Sequence, residues 1–338
     1  MNKKRVLAML LAGAMALSMT ACGGNSASTD GSSNDGGASA SGGSYKVSVI
    51  LKTLAAEYWQ YVKSGAEDYA SEHSDKVTVE VKGPSSETAF DEMQNMIETD
   101  LSSGSYDGIV ISPLQSDTAA QLVSGTKLPI VAIDTNFTAP EVKSFVGTGN
   151  EAAAKKGGEA AVEAAKAAGW TDIKCIEIAG VQGDQTNTAR MNGYKAGVEE
   201  AGGTFLSDEV QYADATADRA TTAMEAIMQT HPEGIAIICA NNDDMAMAAA
   251  RAAQGHVAYK NTIFLGFNGD RAACEAILAG QMTMSVAQMA YEMGYKAVET
   301  MVQVLDGETV DEFVDSGSDV VTPDNAQERL DTLKTQLH

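Results

Sequence analysis

The side chains able to do chemistry stand just after short apolar runs. Tyr58 and Trp59 follow KVSVIL, Asp134 and Thr135 follow PIVAI, and Asp184 and Arg190 follow IKCIEI. Asn242 follows GIAIICA, Asn268 follows TIFLGF, and Gln288 closes MTMSVAQ. Carboxylate, guanidinium and carboxamide groups are planar, and together they donate and accept hydrogen bonds in fixed directions. An aromatic pair adds flat apolar surface. This is equipment for holding a small polar molecule rather than for breaking its bonds.

Catalytic and metal readings find little support. Asp134 or Asp184 could serve as a base, but no nucleophile, metal set or second positioned acid accompanies either. His73, His231, His256 and His338 are scattered, which leaves no HExxH and no Ser-His-Asp set. Gly180-Val181-Gln182-Gly183 has no following Lys-Ser/Thr, as a phosphate loop would. The acidic run from Asp311 to Asp319 lacks the alternating carboxylates of a calcium loop and reads as solvated surface. Met282, Met284, Met289 and Met293 read as core, where methionine fills gaps, rather than as a metal stripe. No catalytic residue, cofactor or metal is expected.

The singled-out residues also have plain structural readings. Asp134 suits a turn or helix cap, Arg190 a surface ion pair, and either Asn242 or Asp243 the N-cap of the helix they open. Asn242 is assigned to ligand and Asp243 to structure. Adjacent helical residues point about 100° apart, so Tyr58 and Trp59 are not expected to share one core face.

The elements that must position these groups alternate. Apolar runs of strand length at 46–51, 76–81, 108–112, 129–133 and 144–148 are followed by a second series at 173–178, 204–210, 234–240, 262–267 and 282–288, with alanine-rich helical stretches between. Strand-helix repetition specifies parallel sheets with helices on both faces. Two series imply two doubly wound lobes, and the strand ends are where ligands bind in such sheets.

The first residues read as a leader. Lys3, Lys4 and Arg5 precede an apolar stretch from Val6 to Leu17, shorter than the roughly 20 residues of a membrane span. LSMTAC then reads as a lipoprotein box, with a signal peptide over 1–21 and lipid on Cys22. Residues 22–44, dominated by Gly, Ser and Ala, read as a tether. The remaining chain, nearly 300 residues, reaches the ~250–300 at which single cores stop growing and chains divide. A net charge of −23 repels nucleic acid and favours solubility outside the cell. Beyond Cys22 only Cys175, Cys239 and Cys274 remain, without CxxC spacing, so no disulfide framework is expected.

Taken together, KTLAAEYW, GIVISPLQSDTAA, LPIVAID, FVGTGN, ARMNGY, THPEGIAIICANNDDMAMAAARA, FLGFNGD and SVAQM resemble the periplasmic binding proteins for ribose, galactose and related sugars. The resemblance covers the chain from Lys46 onward. It implies an α/β fold of two Rossmann-like lobes joined by a three-strand hinge, divided as 45–148 plus 288–317 and 149–287 plus 318–338. It places Tyr58 and Trp59 where aromatics clamp a sugar ring, Asp134 where a carboxylate accepts from ring hydroxyls, and Arg190 where a guanidinium forks across oxygens. Asn242 matches an amide that pairs with vicinal hydroxyls, and Gln288 an amide at a hinge crossing. Ala56, Thr135, Ala215 and Asn268 depart from the ribose pattern, replacing an asparagine, an arginine, an aromatic ring and an aspartate. Asp184 occupies a position held by histidine in galactose-type members, which offers it as the missing carboxylate.

The resemblance implies an extracytoplasmic, lipid-anchored, monomeric protein that captures a pentose, hexose or polyol and delivers it to an ABC permease. A sensor that hands a sugar-like signal or nucleoside to a receptor would share the same pocket. A sugar-responsive repressor would need an N-terminal DNA-binding domain, which the lipobox and the charge exclude.

Overall fold

The computed structural model of the protein describes residues 44–337. The expected leader, Cys22 and the tether up to residue 43 lie outside the described residues, as does His338.

The chain runs β1 (Tyr45–Ile50), α1 (Glu57–Glu72), β2 (Val77–Lys82), α2 (Phe90–Ser103), β3 (Gly108–Ile111), α3 (Ser116–Val123), β4 (Ile130–Ile133) and β5 (Val142–Gly147). It continues with α4 (Asn150–Ala167), β6 (Lys174–Ala179), α5 (Gln185–Glu200), β7 (Thr204–Phe205), β8 (Gln211–Tyr212), α6 (Ala217–Thr230), β9 (Ile237–Ala240), α7 (Asp243–Ala253), β10 (Ile263–Asn268), α8 (Arg271–Leu278) and β11 (Met284–Gln288). It closes with α9 (Ala290–Leu305), β12 (Phe313–Asp315), β13 (Ser318–Val321) and α10 (Ala326–Gln336).

Strands GIVI, IVAI and IICA are buried along their whole length, as parallel strands covered by helices on both faces must be. One sheet has the order β12-β5-β4-β3-β1-β2 and the other β13-β11-β10-β9-β6-β7, with β8 also on β6. The pairs are parallel except β13 on β11. The chain passes between the sheets after β5, after β11 and between β12 and β13. Thr148 Oγ1 and Ser316 Oγ lie 3.4 Å apart where two of these passages meet. Although α9 follows a strand of the second sheet, it packs on α1 against the first.

Two local readings change. The expected strand at 204–210 breaks into β7, a single 3₁₀ turn at Ser207–Glu209 and β8, because Ser207, Asp208 and Glu209 supply no apolar alternation to bury. The acidic run at 311–319 is largely solvent-facing, yet it carries β12 and the first half of β13; edge strands tolerate charge because one flank stays in water. Tyr58 and Trp59 are both buried, at 6% and 3% exposure. Both can be buried despite their 100° offset because the start of α1 has protein on more than one side.

Glycine sets the helix spacing. A Cβ on Gly65 of α1 would collide with the Tyr291 carbonyl, and one on Gly294 of α9 with the Val62 carbonyl. The two backbones therefore touch where they cross. Gly294→Ala is expected to destabilise the protein by about 1–3 kcal/mol through overpacking, read as a melting point several degrees lower. An unchanged melting point would show that the crossing relaxes freely.

Candidate functional site

The carboxyl ends of β1, β4, β6, β9, β10 and β11 converge on one cavity of about 520 Å³ lined by both sheets' loops. A hollow of about 660 Å³ elsewhere is lined by Arg251, His256, Lys260 and Thr283. It lies at the amino ends of β10 and β11, away from the strand ends that carry the polar clusters. Backbone strain marks the first cavity: Asp134, Asp214, Ala215 and Asn268 have φ of 62°, 47°, 60° and 132°, and all four line it. Non-glycine residues hold such angles at a cost of order 1–3 kcal/mol, typically where function constrains the backbone.

On the wall from the first sheet, Tyr58 donates its hydroxyl to Asp134 Oδ1 at 2.8 Å and meets Trp59 edge to face, ring centres 5.0 Å apart. Trp59 Nε1 donates to Glu87 Oε1 at 2.8 Å. Asp134 Oδ2 accepts from Thr135 Oγ1 at 2.9 Å, and Thr135 Oγ1 lies 3.1 Å from Thr186 Oγ1 across the cleft. Thr135 is 1% exposed and stands behind Asp134 rather than on the cavity surface.

Lys52, which sequence reasoning missed, joins the two walls. Its Nζ donates to Asp184 Oδ2 at 3.2 Å and lies 3.9 Å from Asp134 Oδ2. Burial pushes its ammonium toward losing the proton, but Asp184, Asp134 and Glu87 outweigh that and hold its pKa above the ordinary value. Burial likewise opposes charge on Asp184, while Lys52 and the Asn187 N–H hold that carboxyl below its usual range. Asp184 also caps α5 by accepting from Asn187 N at 2.7 Å. The available signal was a lysine two residues past the carboxyl end of β1.

On the opposite wall, the Arg190 guanidinium lies over the Phe267 ring, 3.8 Å from its centre. Its Nε donates to Asn150 Oδ1 and its Nη1 to the Asn241 carbonyl, each at 2.8 Å. Asn242 is the N-cap of α7: its Oδ1 accepts from Met245 N at 2.9 Å and its Nδ2 donates to the Ala215 carbonyl at 3.1 Å. Asp243 is fully buried and accepts from Ser285 Oγ at 2.6 Å and from Asp270 N at 3.0 Å. Asn268 Oδ1 accepts from Gln288 Nε2 at 2.9 Å, leaving Gln288 Oε1 buried without a partner among the described residues. Of the expected site residues, all but Thr135 and the undescribed Cys22 line the one cavity. Asp270 and Asn241 line it too and were not singled out from sequence. Among the described residues, no group of His, Cys, Asp and Glu is arranged to hold a metal ion.

Beneath Arg190 and Asn241, Glu177 is fully buried in β6. Neither of its oxygens reaches hydrogen-bond geometry, although Asn241 and Arg190 lie near enough to favour its charged form. Burial dominates and raises the carboxyl from 4.5 to about 8. The folded state therefore keeps a proton that the unfolded chain releases. This contribution to stability is complete below about 4.5 and is lost as pH rises through about 8. Glu177→Gln is expected to flatten that decline, melting close to the parent at pH 5 and several degrees above it near pH 8.5. Parallel melting curves for the two proteins over this range would refute the assignment.

Two α/β lobes around a strained, buried, hydrogen-bonding cleft define a binding protein for a small polar ligand. The model of the periplasmic binding protein domain matches residues 47–309, and the chain belongs to that family. It is 30% identical over 264 residues to the D-allose-binding periplasmic protein of Escherichia coli K12, covering 75% of this chain and 82% of that one. It is 27% identical over 267 residues to the ribose import binding protein of the same organism, covering 78% and 86%. A carbohydrate transporter solute binding protein from Agrobacterium radiobacter, solved with D-arabinose, superposes with a TM-score of 0.77 at 24% identity, covering 87% of this chain and 99% of that one.

Proposed function

We propose that the protein captures a monosaccharide, pentose or hexose, or a polyol between its lobes and delivers it to an ABC permease. The observation that carries this reading is the pairing of Asp134 and Arg190 on opposite walls of one cavity, each held by neighbours that leave it lining the open space. A sugar has apolar C–H faces for Tyr58 and Trp59 and a rim of hydroxyls for Asp134, Arg190, Asn242, Asn268 and Gln288. Thr135 acts behind these on Asp134, and Asp184 lines the cavity beside Lys52. Kinship with allose- and ribose-binding proteins at 30% and 27% identity supports the ligand class.

On this reading the lobes are 45–148 plus 288–317 and 149–287 plus 318–338, hinged at the three crossings. Closure is driven by ligand because only the closed form satisfies both walls. The protein works outside the cytoplasm as a monomer held by lipid on Cys22, and performs no chemistry on its cargo.

A thermal-shift screen against pentoses, hexoses, their alcohols and inositols tests this, with calorimetry on each hit. A ligand at a hundred times its dissociation constant adds about 2.7 kcal/mol of stability. Asp134→Ala and Arg190→Ala are each expected to weaken a hit by about ten- to a hundredfold, the worth of a charged hydrogen bond. Silence across the panel from folded, ligand-free protein would overturn the sugar reading.

A further inference from the structure

The acids that line the cleft differ in how their charge is balanced. Asp134 and Asp184 share Lys52, and Glu57 and Asp214 pair with Arg271 and Arg219. Asp270 and Asp244 also line the cavity, and neither has an ion-pair partner among the described residues; nor does Asp243 behind them. Arg329 approaches from α10, but its nitrogens donate to the Gly269 carbonyl, the Gln288 carbonyl and Met289 Sδ. At this same end stands Gln288, 1% exposed, with Oε1 lacking any donor. Its orientation is set in turn: Asn268 directs Nδ2 to Asp270 Oδ2 at 3.4 Å and Oδ1 to Gln288 Nε2 at 2.9 Å. This corner therefore gathers the Asp270 and Asp244 carboxyl groups, without an ion pair among the described residues, beside a Gln288 Oε1 that no described donor reaches.

A hydroxyl can donate to Gln288 but brings no charge, whereas a primary ammonium brings three donors and a positive charge together. We propose that the ligand carries a basic nitrogen, as an amino sugar or amino polyol does, and that its ammonium sits between Asp270 and Gln288 Oε1. This rests on the reading of the cleft as a sugar site and narrows it.

A proton balance follows. Burial, then Asp243, Asp244 and Glu57, push the Asp270 carboxyl well above its usual range. Tyr58, Tyr61, Cys274, Arg271 and Arg329 are the other titratable or charged groups around this corner, Arg271 being held by Glu57. An ammonium seated beside Asp270 would favour the charged carboxyl against that upward push, so proton release is expected on binding.

The test is calorimetry on the unmodified protein at pH 7 with 2-amino-2-deoxyhexoses and 1-amino-1-deoxypolyols. Each is compared with its neutral parent and its N-acetyl form, in buffers of different ionisation enthalpy. At least one amine is expected to bind about tenfold or more tighter than both comparators, with proton release on binding. Asp270→Asn is expected to bring the amine-to-parent ratio close to one. Neutral parents binding as well as the amines, or a preference that survives Asp270→Asn, overturns this inference and leaves the sugar reading standing. Silence from neutral and amino compounds alike sinks both. Should Asp270→Asn fail to fold, the proton release and amine preference of the unmodified protein still decide.

Discussion

Parallel strand pairing is the constraint on which the rest of the molecule depends. It aligns the carboxyl ends of neighbouring strands along one edge of each sheet, so residues far apart in the chain arrive side by side. Two such edges face each other here, and the three passages between the sheets keep them hinged. Lys52 and Asp184, separated by 132 positions, meet across the cleft for this reason alone. Asn268 and Gln288 meet because β10 and β11 are adjacent and in register.

The site's side chains are held by protein neighbours. Arg190 is clamped by Asn150, the Asn241 carbonyl and the Phe267 ring. Asp134 is fixed by Tyr58 and Thr135, on a backbone turned to positive φ. Side chains already ordered lose little entropy on binding, which is the advantage of preorganisation. The Lys52 arrangement adds a cross-cleft tie between buried charges, a kind of contact valued more for specifying one geometry than for stability.

Much of this was legible in the chain. The alternation of short apolar runs with alanine-rich helices specified two parallel-sheet series, since fully buried strands carry a signal independent of their neighbours. Most expected site residues line one cavity because a residue at a strand's carboxyl end in such a sheet has few other places to be. The exceptions are instructive. Thr135 follows β4 as expected but points behind Asp134, since consecutive residues leave a strand in different directions. Asp243, assigned to structure, is fully buried, whereas the oxygen of Asn242 is engaged in a cap and its nitrogen on Ala215.

The sequence by itself determined the class of fold, the succession of strands and the residue types at their ends, because hydrophobic period and local turn chemistry are properties of short segments. Only the tertiary structure decided which charges are matched. Lys52 reads as one more lysine, Asp270 as one more acid in an acidic chain, and Glu177 as the polar member of an alternating strand. Burial and the presence or absence of a partner across the cleft distinguish them. Both are set by residues that the fold brings together from other elements, 132 positions apart in the case of Lys52 and Asp184, and no local pattern records them.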